Sequence, residues 1–342
     1  MGRLADKNTL IAGANSGIGL ATAQEFDRER AQGPVLIFGP TGRHGGTGAR
    51  VIQRLKAAGR SVRAVVRTDD ERAEHLRQSG VRTMVGNMHD RRTLVSALEG
   101  VSSVYVAYPV AAGVALALAN VASVIHELGS SPHVVVNSHG TVALDSPSGI
   151  SREFAIGEEV LVRLGVNVTV LRVSAFFYEN VLLAHSGTIR ETGVFANCFG
   201  DSRPPWISAT DAVDLFAVAL LEPSTYAGSP IVYPPGYERL SHREIADIIS
   251  EETGRDVRYQ YITQDEWIGQ LTAAAVHSGG LVSDAMIQHL TTHARMTENN
   301  TTIARMGVDP SALAAASGRP PLSFRDFVKQ HRAAFGAVSQ EP

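Results

Sequence analysis

Residues 35–67 read VLIFGPTGRHGGTGARVIQRLKAAGRSVRAVVR, and the rest of the topology follows from this stretch. Val35 to Phe38 is a short apolar run of strand-forming residues, and Gly39, Gly42 and Gly45 follow at G-x-x-G-x-x-G spacing. From Ala49 the apolar residues Val51, Ile52, Leu55 and Ala58 recur at helical intervals, Gly59 stops the helix, and 61–66 is a second strand. Glycine suits each role in such a turn, giving a tight reversal, a backbone close enough to touch a pyrophosphate, and close helix–strand packing. The helix start adds free N–H groups and the positive end of its dipole. A lone glycine triplet means little, but one set between a strand and a helix, with a second strand after it, reads as a dinucleotide-binding turn. The plainer alternative is a turn that merely closes the unit.

The chain has 342 residues, enough for one large α/β domain and a smaller lobe. Apolar residues make up 44%, enough for a sizeable core. A net charge of −3 argues against a nucleic-acid partner held on a basic face. Cys198 is the only cysteine, so no intrachain disulfide can form, and a reducing, cytoplasmic setting is expected. Asp6 and Lys7 interrupt any apolar start, so a secretion signal is not expected. Residues 104–125 carry no charge and are long enough to span a bilayer. Pro109, Gly113 and Asn120 interrupt them, and VYVAYP reads as strand, so the expectation is a buried strand leading into a buried helix.

Residues 1–33 hold a second glycine-rich turn, Gly13-Ala14-Asn15-Ser16-Gly17-Ile18-Gly19, after a strand-like run at 8–12. This resembles the opening of a short-chain dehydrogenase, T-G-x-x-x-G-x-G, with Ala12 in place of the threonine. Two phosphate turns cannot both head one mononucleotide fold, and only the second has its partner elements downstream. Residues 1–33 are therefore expected to be an appended βα unit.

Past residue 67 the βα units continue. Helices are expected over 71–78, 91–98, 114–128 and 152–164, and strands over 81–85, 103–107, 133–137 and 166–172. That alternation implies an α/β fold with a parallel, doubly wound sheet. Ligands in such sheets bind beyond the carboxyl ends of the strands. The expected cofactor contacts are therefore Gly39, Thr41, Gly42, Arg43, His44, Gly45, Arg67, Asn87, Met88, Ala107, Tyr108 and Pro109. After Phe176 the elements become shorter and more punctuated, with helices over 211–221, 242–253 and 283–294. The expected organisation is a dinucleotide-binding domain over 34–185, a substrate lobe over 186–335 and a tail over 336–342. Gly187, Gly193 and Gly200 suggest a movable cover over the pocket.

Taken together, GPTGRHG at 39–45, VRAVVR at 62–67, GNMHDRRTLVSALEGVSSVYVAYP at 86–109, NVTVLRVSAFFYEN at 167–180 and ISATDAVDLFAVALLEP at 207–223 resemble the NmrA-like group of atypical short-chain dehydrogenases/reductases. The resemblance covers roughly 34–335. It implies a Rossmann-type fold binding NADP or NAD. It also implies either a reductase of quinones, azo dyes or triphenylmethane dyes, or a protein that only senses the nicotinamide pool.

Arg67 ends the second strand, where the adenosine ribose is met. An acid there would take the 2′-hydroxyl of NAD, whereas an arginine favours the 2′-phosphate of NADP. Arg43 is a candidate second clamp, and Asp69 and Asp70 are competing hydroxyl acceptors. NADP is expected, with NAD the lesser choice. Many superfamily members use Tyr-x-x-x-Lys as general acid, but the three lysines, Lys7, Lys56 and Lys329, do not follow a tyrosine at that distance. What remains near the expected nicotinamide is Ser138, His139 and Tyr178, as candidates to bind a carbonyl or supply a proton, with Phe176 and Phe177 as a wall. An acceptor that needs little proton help, such as a quinone or a delocalised dye cation, fits this set.

His289 and His293 share one helical face at i, i+4, but no third ligand follows at a recognisable spacing and H-E-x-x-H is absent, so no metal is expected. The absence of G-x-S-x-G argues against a hydrolase. Two functions stand: an NADPH-dependent reductase of a small quinonoid, aromatic or activated-carbonyl acceptor, or a non-catalytic NAD(P)-binding sensor acting through protein partners. A homodimer is left open.

Overall fold

The computed structural model describes residues 33–41, 46–277, 282–299 and 306–336. The expected βα unit at 1–33 lies outside them but for Gly33, and the expected tail but for Gly336. The first half alternates strand and helix: β1 (Val35–Phe38), α1 (Thr47–Ala57), β2 (Val62–Val66), α2 (Glu71–Gln78), β3 (Arg82–Val85), α3 (Val95–Leu98) and β4 (Ser103–Ala107), then α4 (Val114–Glu127), β5 (His133–His139), α5 (Gly149–Arg163) and β6 (Val168–Val173). The second half is more broken. It runs through β7 (Phe176–Phe177), α6 (Tyr178–Thr192), β8 (Val194–Asn197), β9 (Pro205–Ile207), α7 (Ala209–Leu221), β10 (Ile231–Val232) and β11 (Glu238–Arg239), then α8 (His242–Thr253), β12 (Arg258–Tyr261), α9 (Gln264–His277), α10 (Asp284–Glu298), α11 (Pro310–Ser317) and α12 (Phe324–Gln330).

Seven parallel strands form one sheet in the order β10-β6-β5-β4-β1-β2-β3. From β1 the chain builds outward to β3 and then crosses back to β4, so the direction of winding reverses between β1 and β4. Residue alternation shows how both faces are covered. Leu36 and Phe38 pack with Val121, Ile125 and Phe154 on one face, while Val35 and Ile37 pack with Val51, Leu55 and Phe216 on the other. Strands buried on both faces need continuous apolar runs, which is why VLIF and VVV read as they do. The uncharged stretch at 104–125 divides into β4 and α4, and among the described residues no helix is long and apolar enough to cross a membrane.

The expected division at 185/186 does not follow the structure. Helix α7 is buried nearly all round and lies against α1, β4 and β5, and β10 pairs with β6 in the main sheet. Helix α11 packs on α7. A helix apolar on most of its surface can only be stable between two layers, so α7 returns to cover the sheet. In the other direction, α6 begins before 185 yet belongs to the second lobe, whose core holds Tyr178, Phe195, Trp206, Ile249, Phe324 and Phe327. Two small sheets, β11-β9-β7 and β12-β8, frame that lobe.

Candidate active site

The head of β1 is built by two glycines. Gly39 has φ 77°, a left-handed conformation, and a Cβ there would strike the carbonyl oxygen of Ala107. Gly48, on the first turn of α1, abuts the carbonyl of Gly39, so a Cβ would collide there too. The helix start is thereby held directly behind the strand end, a position from which its N–H groups could meet an anion. Gly48 supplies close helix–strand packing of the kind expected of glycine in this turn. Gly42, Arg43, His44 and Gly45 lie outside the described residues; Thr41 is half-buried just before them.

Arg67 follows β2 and is exposed, and no hydrogen bond or ion pair engages it among the described residues. The neighbouring acids are committed elsewhere. Asp69 accepts from Arg77 Nη1 at 2.7 Å. Asp70 caps α2 by accepting from the N–H groups of Arg72 and Ala73, and its hydrogen bonds to the Arg72 guanidinium draw its carboxyl down to about 2. Both carboxylates are thus engaged by arginines of α2.

Beyond β3, Asn87 Oδ1 accepts from the His89 N–H at 3.0 Å and the Met88 carbonyl accepts from Asn120 Nδ2 at 2.8 Å. After β4, Tyr108 Oη donates to the Ala112 carbonyl at 3.0 Å and lies 2.7 Å from His89 Nε2. Gly113 makes this possible, since a Cβ there would meet the His89 ring. Asn87, Met88, Ala107, Tyr108 and Pro109 thus follow the carboxyl ends of β3 and β4, on the same edge of the sheet as Gly39 and Arg67.

The three candidate proton donors fare differently. Tyr178 is fully buried in the second lobe, against Trp206, Phe324 and Phe327, and donates to Glu238 Oε1 at 2.5 Å. Burial and the adjacent carboxylate push its phenol far up, so the expectation that it protonates a substrate is corrected: it is a core residue. Ser138 is buried and donates to Glu158, whose other oxygen takes Arg172 at 2.5 and 3.0 Å. Its proton is already placed. His139 ends β5 with Nδ1 on Thr141 Oγ1 at 2.8 Å, and burial holds its imidazole well below the usual value and therefore neutral. Phe176 packs edge-on to Phe199 and Trp206, so core packing accounts for it; Phe177 is half-buried beside the main core.

Two features escaped sequence reading. Glu158 and Arg172 form a nearly dry ion pair beneath the carboxyl ends of β5 and β6, extended by Tyr233 on Arg172 Nη1. The available signal was a glutamate on the apolar stripe of α5 between Phe154 and Leu161. The other is the meeting of His139 with the α10 histidines, its ring centroid lying 5.2 Å from that of His289 and 5.7 Å from that of His293.

Comparison with known proteins agrees with this architecture. The NmrA-like family profile matches residues 31–319. An NAD(P)H azoreductase of Xenophilus azovorans is 30% identical over 310 residues, covering 89% of this chain and 100% of that one. An NADPH-dependent quinone oxidoreductase of Escherichia coli, solved with NADPH, superimposes with a TM-score of 0.71 at 22% identity, covering 87% and 99% of the two chains. A triphenylmethane reductase of Citrobacter superimposes with a TM-score of 0.69 at 19% identity, covering 88% and 99%.

Proposed function

This chain belongs to the NmrA-like family, and we propose that it works as an NADPH-dependent reductase of a small acceptor with a delocalised, quinonoid or dye-like system. The observation that carries the cofactor choice is Arg67: exposed, unpaired among the described residues, and flanked by two aspartates that are both engaged. A guanidinium in that state is suited to a 2′-phosphate. Gly39 and Gly48 supply the close backbone approach a pyrophosphate needs, with Thr41 beside them. Asn87, Met88, Ala107, Tyr108 and Pro109 line the way along the crevice.

When bound, NADPH would supply a hydride from its nicotinamide. The chain's own residues then orient the acceptor and exclude water. They are poorly placed to donate a proton, since Tyr178 and Ser138 are engaged with glutamates and His139 is held neutral. This supports an acceptor that takes hydride without prior protonation. The azoreductase and the dye and quinone reductases among its relatives and structural neighbours favour the same chemical class. The buried lone cysteine, Cys198, fits a reducing cytoplasm.

The reading is tested by following NADPH consumption with purified protein and a panel of quinones, azo dyes and triarylmethane dyes, with NADH alongside. Acceptor-dependent oxidation faster with NADPH is the expected result. Tight NADPH binding without turnover on any acceptor would move the chain to the sensing role.

A further inference from the structure

The loop after β5 and the face of α10 bring three imidazoles together that are far apart in sequence. His289 and His293 stand one turn apart on α10 with ring centroids 4.2 Å apart, and the His139 ring meets both. One nitrogen from each ring lies within 4.8 Å of the others. Hydroxyls hold a nitrogen of each ring. Thr141 Oγ1 is 2.8 Å from His139 Nδ1 and 2.5 Å from His293 Nε2, and Ser148 Oγ is 2.7 Å from His289 Nδ1. His139 Nε2 is fully buried and has no hydrogen bond among the described residues.

We propose that His139, His289 and His293 bind one divalent cation of the zinc class, with Thr141 and Ser148 fixing the ring orientations. The hydroxyls are compatible with the tautomers that ligation requires. The Thr141 oxygen has two lone pairs and can accept N–H from both rings, and Ser151 Oγ lies 3.5 Å from it. Ser148 accepts from His289 in the same way. A ligating histidine has its second nitrogen fixed by an outer hydrogen bond, and a hydroxyl stands beside a nitrogen of each of these three rings.

Burial supports the assignment. His289 and His293 are buried, and burial favours the neutral imidazole that ligation requires. A tetrahedral zinc with bonds of about 2.0–2.1 Å needs nitrogens roughly 3.4 Å apart, so the rings must draw closer on binding than their present spread. Three neutral nitrogens and no carboxylate suit zinc, cobalt, nickel or copper rather than magnesium or calcium. A cation here would also tie α10 to the end of β5, joining two elements that meet beside the crevice.

The test uses the full chain without a histidine tag, stripped with chelator and titrated with Co²⁺ and then Zn²⁺. Expected are one Co²⁺ per chain, the intense visible absorption of a tetrahedral site, displacement by Zn²⁺ and a raised melting temperature. His293→Gln and His139→Ala should each weaken binding by at least ~100-fold, and Thr141→Val by ~10-fold or more. NADPH binding by the same variants reports whether they are folded. Absence of stoichiometric Co²⁺ binding would overturn the proposal, as would binding unchanged in folded His139 and His293 variants, which would place the ion elsewhere in the chain.

Discussion

Arg67→Asp should weaken NADPH binding ~10- to 100-fold, the cost of losing charge-assisted hydrogen bonds of about 1.5–3 kcal/mol, while NADH binding changes little. An unchanged NADPH constant, measured by calorimetry, would mean the 2′-phosphate is met elsewhere. Tyr178→Phe distinguishes a core residue from an acid. It removes the donor to Glu238, which still accepts the Phe324 N–H at 2.6 Å, so stability should fall by about 1–2 kcal/mol with kcat nearly unchanged. A collapse of kcat with stability intact would restore Tyr178 to the chemistry. Arg67 was legible in the sequence because it closes a strand. Tyr178 was not, since nothing local shows that Trp206, Phe324 and Phe327, far along the chain, converge on its ring.

Glycines differ in what their elements ask of them. Gly48→Ala should cost about 1–3 kcal/mol, because the added methyl has no room between α1 and the β1 end, and NADPH affinity should drop with it. Gly187→Ala should do the reverse. Gly187 lies inside α6 with open space where a Cβ would sit, so replacing it should stabilise by about 0.5–1 kcal/mol. Thermal melts of the two variants check both signs. The expected movable cover at Gly187, Gly193 and Gly200 has another explanation in the structure: Gly187 is helical, Gly193 caps the end of α6, and Gly200 turns after β8. Strands and helices of the first half fell close to their sequence positions because each carries its own apolar period. The return of α7 and β10 to the main sheet did not, because which layer an apolar helix covers is a matter of long-range packing.

Across the molecule as a whole, buried histidines set the response to acid. His242 is almost wholly buried among Phe195, Phe199, Trp206 and Tyr259, and burial, with neighbouring His185 adding to it, pulls its imidazole down to about 3. Its folded value lies below its unfolded one, so its contribution to stability is present above the usual imidazole pKa near 6.5. That contribution is lost as the pH falls toward about 3, because the unfolded chain takes the proton first. At pH ~5 the loss should be about 2 kcal/mol. His242→Phe should shrink the difference in unfolding free energy between pH ~7.5 and pH ~5 by about that amount, read from denaturant melts. An undiminished difference would assign the acid sensitivity to other groups. The same fold-wide packing explains why three imidazoles meet at the end of β5: His289 and His293 were legible as a helical pair, whereas His139 joins them only because α10 packs on α5.

Hydride delivery without a side-chain acid is best put to a cationic triarylmethane dye. Its central carbon takes a hydride with no proton, and the bond formed does not exchange with water. The chain is to be given NADPH deuterated at both C4 positions of the nicotinamide, and the bleached dye examined by mass spectrometry. Expected is bleaching with one deuterium at the central carbon, at a rate that Ser138→Ala and Tyr178→Phe leave nearly unchanged. Bound NADPH with no bleaching, or a bleached dye without the label, would contradict hydride transfer by this chain.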